Sequence, residues 1–371
     1  MTILDSLRQP AHDSTTMRPT VSICLPNLNT RPYLEERCNS ILCQTFQNWE
    51  LIIVDSFSDD GSWPYLAEFA QRDRRVTIAQ APRDGIYPNW NRCIERASCD
   101  YIYIATSDDT MAPDCLEKLV MALDRNPACD LAFCPLHAID ESGQILSNPR
   151  WPDCTPFTYD LGDYLHQPHI HRAPYDGLLH LPGLIVYNSI TQLLIRRSLF
   201  SRIGRFSDRW GSTGDFNWEM KAGLIASTVF VPDTWAGWRV RAGQATASAQ
   251  LLSARHFAKV DEMISDAVNT CATQLHPAIA RGLQTEWLPW TRNVRAYYHE
   301  LRNRPSVVDR RLYQLTEFCR GPSAVRSQML SRLVGRSDSL REMPRRMRRW
   351  LKSLGIEPIL PSVEASTVTA S

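Results

Sequence analysis

The sequence predicts an α/β fold: a mainly parallel sheet with helices on both faces, followed by a helical C-terminal region. Three observations predict it. Short apolar runs alternate with helical stretches from Val21 to Leu136, at spacings that suit right-handed βαβ crossovers. Several of these runs stop abruptly in polar or acidic residues. From Ala249 onward the pattern is helical and the strands are over.

Each element has a local reason. Val21–Leu25 is apolar and β-branched, and is ended by Pro26-Asn27-Leu28-Asn29. Pro32 starts a helix whose Tyr33, Leu34, Cys38, Ile41 and Leu42 share one face. Glu50–Asp55 is a second strand, apolar until Asp55, and Ser56–Ser62 is a turn and cap. The helix after it turns Trp63, Leu66, Phe69 and Ala70 inward. Val76–Ala79 is a third strand, closed by an Asp84-Gly85 turn, and Asn89–Ala97 is a helix with Trp90, Ile94 and Ala97 inward. Tyr101–Ala105 is an aromatic and β-branched strand without charge, ending in Thr106-Ser107-Asp108-Asp109. A helix from Pro113 follows, with Leu116, Leu119, Val120 and Leu123 inward, and Asp130–Leu136 is a fifth strand.

The pattern then breaks. Asn148–Pro182 holds six prolines and several aromatics (Trp151, Phe157, Tyr159, Tyr164, Tyr175). A stretch of this length without its own periodicity is usually functional, and the aromatics predict a packed lid. Its His166, His169 and His171 read as solvated loop histidines. Ile190–Ile195 is a strand and Ser198–Ile203 a short helix. Gly211–Glu219 leads into an amphipathic helix with Phe216, Met220 and Leu224 inward and Asp215 at its N-cap or first turn. Thr228–Val231 and Thr234–Val240 are closing strands.

Composition narrows the function classes. Of 371 residues, those from Arg255 onward carry 19 Lys+Arg against 11 Asp+Glu, leaving 22 against 29 before them. An acidic body argues against a nucleic-acid partner. The 11 cysteines form no CxxC and match no zinc spacing, which favours a reducing cytosol. Met1–Arg18 is polar and reads as disordered, not as a signal peptide. No run of about 18 apolar residues is present. The turn after the first strand lacks the glycines a dinucleotide site needs, and it lacks the basic phosphate loop of a nucleotidyltransferase.

The chemistry lies at the strand ends. In an open α/β sheet the carboxyl ends of the strands form the ligand rim. Asp55 and Asp108 both stand there, although Asp108-Asp109 also suits a capped turn. An acidic, oxygen-rich rim fits Mg²⁺ or Mn²⁺ bridging a diphosphate. An acid across the rim could take a proton from a hydroxyl nucleophile, and Asp215 is the candidate. These features describe diphosphate chemistry without singling out sugar transfer.

Several motifs occur together in order. They are Val21–Asn27, Ser40–Asp55, Asp59-Asp-Gly-Ser62, Asn89-Trp-Asn91, and Tyr101–Asp114 with Asp108-Asp109 and Pro113-Asp114. On these residues Val21–Ala122 resembles the donor half of the family 2 glycosyltransferases, which have the GT-A fold. The resemblance extends more weakly to about Ser248 through Gly204-Arg-Phe206, Gly214-Asp215 and Trp238–Gln244. It implies an inverting transfer from a nucleotide-diphosphate sugar to a glycan or lipid-linked acceptor in cell-surface polysaccharide synthesis. By the same resemblance Pro26, Asn27, Asp55, Asn89 and Ser107 serve the nucleotide, and Asp108 is the metal ligand. Asp215 is the base, and Arg239, Arg241 and Trp218 face the diphosphate or acceptor. Two positions depart from the family pattern. Thr106 stands where the first Asp of DxD is usual, and Arg241 where a His is often found. Both departures leave open a sugar-nucleotide-binding protein without activity.

The implied organisation is a disordered segment 1–18 and a GT-A domain 19–248, split into nucleotide half 19–122 and acceptor half 123–248. A helical basic region 249–360 and a disordered tail 361–371 follow. Val325–Leu354 is basic and amphipathic, and suits either an anionic membrane surface or packing on its own domain. The expected location is the cytoplasm, peripheral to the inner face of the plasma membrane.

Overall fold

The computed structural model describes residues 20–146, 161–181, 186–241, 254–293, 306 and 339–362. The first half follows the predicted alternation: β1 (Val21–Asn27), α1 (Arg31–Leu42), β2 (Trp49–Asp55), α2 (Ser62–Arg72), β3 (Val76–Gln80), α3 (Ile86–Arg96) and β4 (Tyr101–Ile104). β1, β2 and β4 are buried almost throughout. That is why they read as continuous apolar runs and not as alternating ones. The α3 helix starts three residues before its predicted start, at Ile86.

After β4 come β5 (Thr110–Met111), α4 (Cys115–Arg125), β6 (Cys129–Phe133) and β7 (Leu136–Ile139). The predicted single strand Asp130–Leu136 is two strands in two sheets. Pro135 cannot donate to a ladder, so the chain turns out of one sheet and into the other there. Next are β8 (His169–His171), α5 (Tyr175–His180), β9 (Leu193–Arg196), α6 (Ser198–Ile203), α7 (Gly214–Ile225), β10 (Ser227–Phe230) and β11 (Ala236–Arg239). The C-terminal part holds α8 (Ala254–Cys271), α9 (Pro277–Gly282), α10 (Ser339–Ser353) and β12 (Ile359–Pro361).

The large sheet has nine strands in the order β12-β8-β10-β6-β9-β4-β1-β2-β3, and β5-β11-β7 form a small second sheet. The run β4-β1-β2-β3 is parallel, as is β6-β10. β8, β9 and β12 run antiparallel to their neighbours. The fold is thus α/β with one large mixed sheet, helices around it and a helical C-terminal region.

Three expectations change. Much of the described part of the predicted lid, 161–181, is interior: β8 is a sheet strand whose His169 and His171 are buried, not solvated, and α5 is buried along its whole length, while His166 is exposed. The α7 helix is not amphipathic, because nine of its twelve residues are buried. Gly177 of α5 and Gly223 of α7 let these two helices meet backbone to backbone, and a side chain at either would collide with the other helix. Finally, the strands are not over after Ala249, because β12 pairs with β8 at the sheet edge.

Of the basic stretch Val325–Leu354, residues 325–338 lie outside the described residues, as do 1–19 and 363–371. In α10, Met347 and Leu351 are buried. Arg346 lies 5.2 Å from the centre of the Trp287 ring and donates to Glu286 at 2.8 Å. Among the described residues no helix is long and apolar enough to cross a membrane.

Candidate active site

The register of the parallel strands builds the rim. Asn27 stands directly opposite Asp55, and Cys24 opposite Ile104. The segment after β4 therefore emerges beside the segment after β1. A cleft of about 430 Å³ opens between them. Pro26, Asn27, Asn89, Ser107, Asp108 and Arg241 all line it, together with Thr106 and Trp238.

Asp55 is wholly buried and does not line the cleft. Its Oδ1 accepts from Asn27 Nδ2 at 2.7 Å and from the Ser58 hydroxyl at 2.6 Å, and its Oδ2 accepts from the Ser58 amide at 2.9 Å. It fixes the two loops that form one wall. Asn27 passes the order on by accepting from Thr30 Oγ1 at 2.5 Å. Asn89, only 3% exposed, donates to the Val54 carbonyl at 3.0 Å, and its Oδ1 has no hydrogen-bond partner. A buried amide oxygen without a partner costs about 1–3 kcal/mol.

The two adjacent acids have different surroundings. Asp108 Oδ2 accepts from Arg241 Nε at 2.8 Å, and both groups stay partly open to solvent. Asp109 is buried, accepting from the Thr106 hydroxyl and, at 2.9 Å, from the Arg239 amide. Burial, followed by repulsion from Asp108, pushes its carboxyl up to about 7. Thr106 thus holds Asp109 down beneath the cleft.

Arg239 is buried as well. Its guanidinium is spent on the Asp108 carbonyl at 2.6 Å, the Asp140 carbonyl at 2.7 Å and Glu36 at 2.5 Å. It shapes the Asp108 loop and does not face the cleft. Trp218 is 1% exposed, packed against Phe200 and Phe206, and donates to the Gly204 carbonyl at 3.0 Å. It belongs to the core.

Asp215 lies in the first turn of α7, where the helix dipole favours a carboxylate. Its Oδ1 accepts from the Tyr87 hydroxyl and from the Phe216 amide, each at 2.9 Å. No hydrogen bond to a described residue occupies its Oδ2. Burial pushes this carboxyl above its usual range against the pull of the Tyr87 bond. Tyr87 follows Ile86, which lines the cleft, but neither Tyr87 nor Asp215 is itself among the residues that line it. The approach requires Gly214, because a side chain there would collide with the Tyr87 ring and the Ser207 carbonyl.

Residues 22–204 match the model of the family described as Glycosyl transferase family 2. Among curated proteins it is 34% identical over 134 residues to TuaG of Bacillus subtilis strain 168, covering 36% of this chain and 52% of TuaG. That protein's name assigns it to teichuronic acid biosynthesis. Glycosyltransferase GlyG of Streptococcus pneumoniae serotype 4 is 34% identical over 127 residues, covering 34% of this chain and 42% of GlyG. This chain thus spans about half the length of the curated relatives it matches. Among solved structures, S. aureus TarS 1-349 in complex with UDP superposes with a TM-score of 0.54 at 14% identity, over 89% of this chain and 91% of that one. At that identity the likeness shows the fold alone.

Within residues 22–204, those that sequence reasoning did not assign to the site include Thr30, Ser56, Arg83, Ile86, Trp90 and Tyr87. All but Tyr87 line the cleft. The strand-end rule, applied to β3 as it was to β1, β2 and β4, would have found Arg83. Tyr87 carries no such signal, because its partner is 128 positions away.

The donor set at the DxD position fits a divalent cation poorly. Among the described residues no group of three His, Cys, Asp or Glu side chains could hold a metal ion. Asp108 is the one carboxylate lining the cleft, and it is already paired with Arg241.

Proposed function

We propose that this chain transfers a sugar from a nucleoside-diphosphate sugar to a hydroxyl of a glycan or lipid-linked acceptor, with inversion at the anomeric carbon, in the synthesis of a surface polysaccharide. The observation that carries the reading is the cleft at the carboxyl ends of β1, β2 and β4, within the residues that match the family 2 model, where Asp108 and Arg241 stand together. The named role of TuaG supports the polysaccharide part, and the UDP bound by TarS supports a nucleotide donor.

In this reading the sugar nucleotide lies along Pro26, Asn27, Asn89 and Ser107, with its diphosphate toward Asp108 and Arg241. The acceptor oxygen attacks the anomeric carbon from the face opposite the diphosphate. Its proton passes to Asp215 Oδ2. The bond from the anomeric carbon to the diphosphate oxygen breaks, and its electron pair leaves on that oxygen. The Tyr87 bond holds the other Asp215 oxygen, so one orientation of the base is favoured before the acceptor arrives.

The test uses UDP, GDP and dTDP in thermal-shift and calorimetric titrations, followed by release of the diphosphate from the matching sugar nucleotide. One of the three should bind. Asp215→Asn should bind it within about twofold of wild type while transfer falls about 1000-fold, within the range a positioned base supplies. No binding by any of the three would overturn the donor site, and undiminished turnover by Asp215→Asn would remove it as base. Donor binding without turnover across many acceptors would favour a protein that only binds sugar nucleotides.

A further inference from the structure

We propose that the Arg241 guanidinium is the cation that receives the donor's diphosphate, so that this site binds its donor and works without a divalent metal ion. The inference rests on the donor reading above and deepens it.

Arg241 is held from two sides. Its Nε donates to Asp108 Oδ2 at 2.8 Å, and its guanidinium carbon lies 5.6 Å from the centre of the Tyr33 ring. The same ring takes Arg239 at 4.9 Å, so Tyr33 is shared between two guanidinium groups. Arg239 is fully committed to Asp108, Asp140 and Glu36. Arg241 is not: among the described residues only its Nε makes a hydrogen bond, and the side chain lines the cleft. A guanidinium presents several donors in a planar fork matched to phosphate oxygens. With Nε anchored, the two terminal nitrogens remain for a ligand.

A metal at this place would have poor ligands. A hard divalent cation takes oxygen donors with carboxylates among them. Thr106 and Ser107 supply neutral hydroxyls. Asp109 is buried with both oxygens already accepting. That leaves Asp108 as the single carboxylate, and a cation there would share it with an arginine whose Nε is 2.8 Å from Oδ2. The resident cation does the same electrostatic work, offsetting charge on the diphosphate as the anomeric bond breaks.

The experiment measures binding of UDP, GDP and dTDP by calorimetry to the full chain in EDTA and again with excess Mn²⁺ or Mg²⁺. The binding nucleotide should keep its affinity in EDTA, within about twofold of the metal-containing buffer. Arg241→Gln should weaken it at least tenfold in EDTA. Arg241→His should bind weakly in EDTA and regain affinity with Mn²⁺. Circular dichroism and a melting curve establish that each variant is folded, and the wild-type chelation arm needs no variant. Loss of wild-type binding in EDTA, or unchanged binding by folded Arg241→Gln, would overturn this inference and leave the donor reading standing. No binding by any nucleotide in either buffer would overturn both.

Discussion

Two polar clusters in this molecule spend their hydrogen-bonding groups to opposite ends. One stands at the carboxyl ends of β1, β2 and β4, where Asn27, Asn89, Asp108 and Arg241 line a cleft. The other lies inside, between the sheet and α5. There His169 meets His171 at 2.9 Å, His171 meets Asp176 at 2.7 Å, and the Tyr187 hydroxyl donates to Asp176 at 2.6 Å. Burial alone would raise the Asp176 carboxyl, but the attraction of His171 and the bonds from His171 and Tyr187 hold it below its usual range. The rim keeps hydrogen-bonding capacity open toward the cleft. The interior cluster satisfies most of its own. Acids and histidines together do not make a site; unspent capacity facing an opening does.

The comparison can be broken most forcefully at Asp176. Asp176→Ala leaves His171 and Tyr187 without their buried partner, and should cost about 3–5 kcal/mol in denaturant unfolding. Nucleotide affinity per folded molecule should stay within twofold. If stability were untouched and affinity lost, the interior cluster would be part of the site.

Asn89→Ala is the counterpart at the rim. It should weaken nucleotide binding about tenfold, equivalent to about 1.4 kcal/mol, while the fold loses the bonds to the Val54 and Asn27 carbonyls. Equal binding by the variant in calorimetry would mean that Asn89 serves no ligand.

The smallest effect concerns the interior histidines and pH. Burial pushes His169 down to about 3 and His180 down to about 4. An unfolded histidine binds its proton near pH 6.5. Below that pH the unfolded chain gains protons that the folded one refuses, so stability is complete above about pH 6.5 and drains away as pH falls toward these lowered values. Both ring nitrogens of His180 lack a partner. His180→Leu should therefore raise stability at neutral pH by about 1 kcal/mol and flatten the acid slope of the melting temperature. A steeper slope would show that His180 carries a bond worth keeping.

Much of the rim was legible in the sequence because the signal is local. An apolar run that ends in Asn27, Asp55 or Asp108 marks a strand's carboxyl end, and the parallel register brings those ends together. The interior cluster was not legible. His169 and His171 alternate with Ile170 in a stretch rich in proline, and that reads as a loop until β10 and β12 pair on either side of it.

The sequence by itself determined the α/β class, the order of the first elements and the identity of six of the fifteen cleft-lining residues. These follow from short-range patterns of apolarity and from the polar residues that end them. The family resemblance already singles out Asp108; only the tertiary structure showed what buries Asp109 and decided between Arg241 and Arg239. It also sent Trp218 into the core and brought β12 back to the sheet. Those outcomes depend on partners far apart in the chain: Arg239 and Arg241 reach Asp108 across 131 and 133 positions. Which of two neighbouring charges stays free for a ligand is set by the partners that the folded chain brings within hydrogen-bond reach, and no local pattern encodes that.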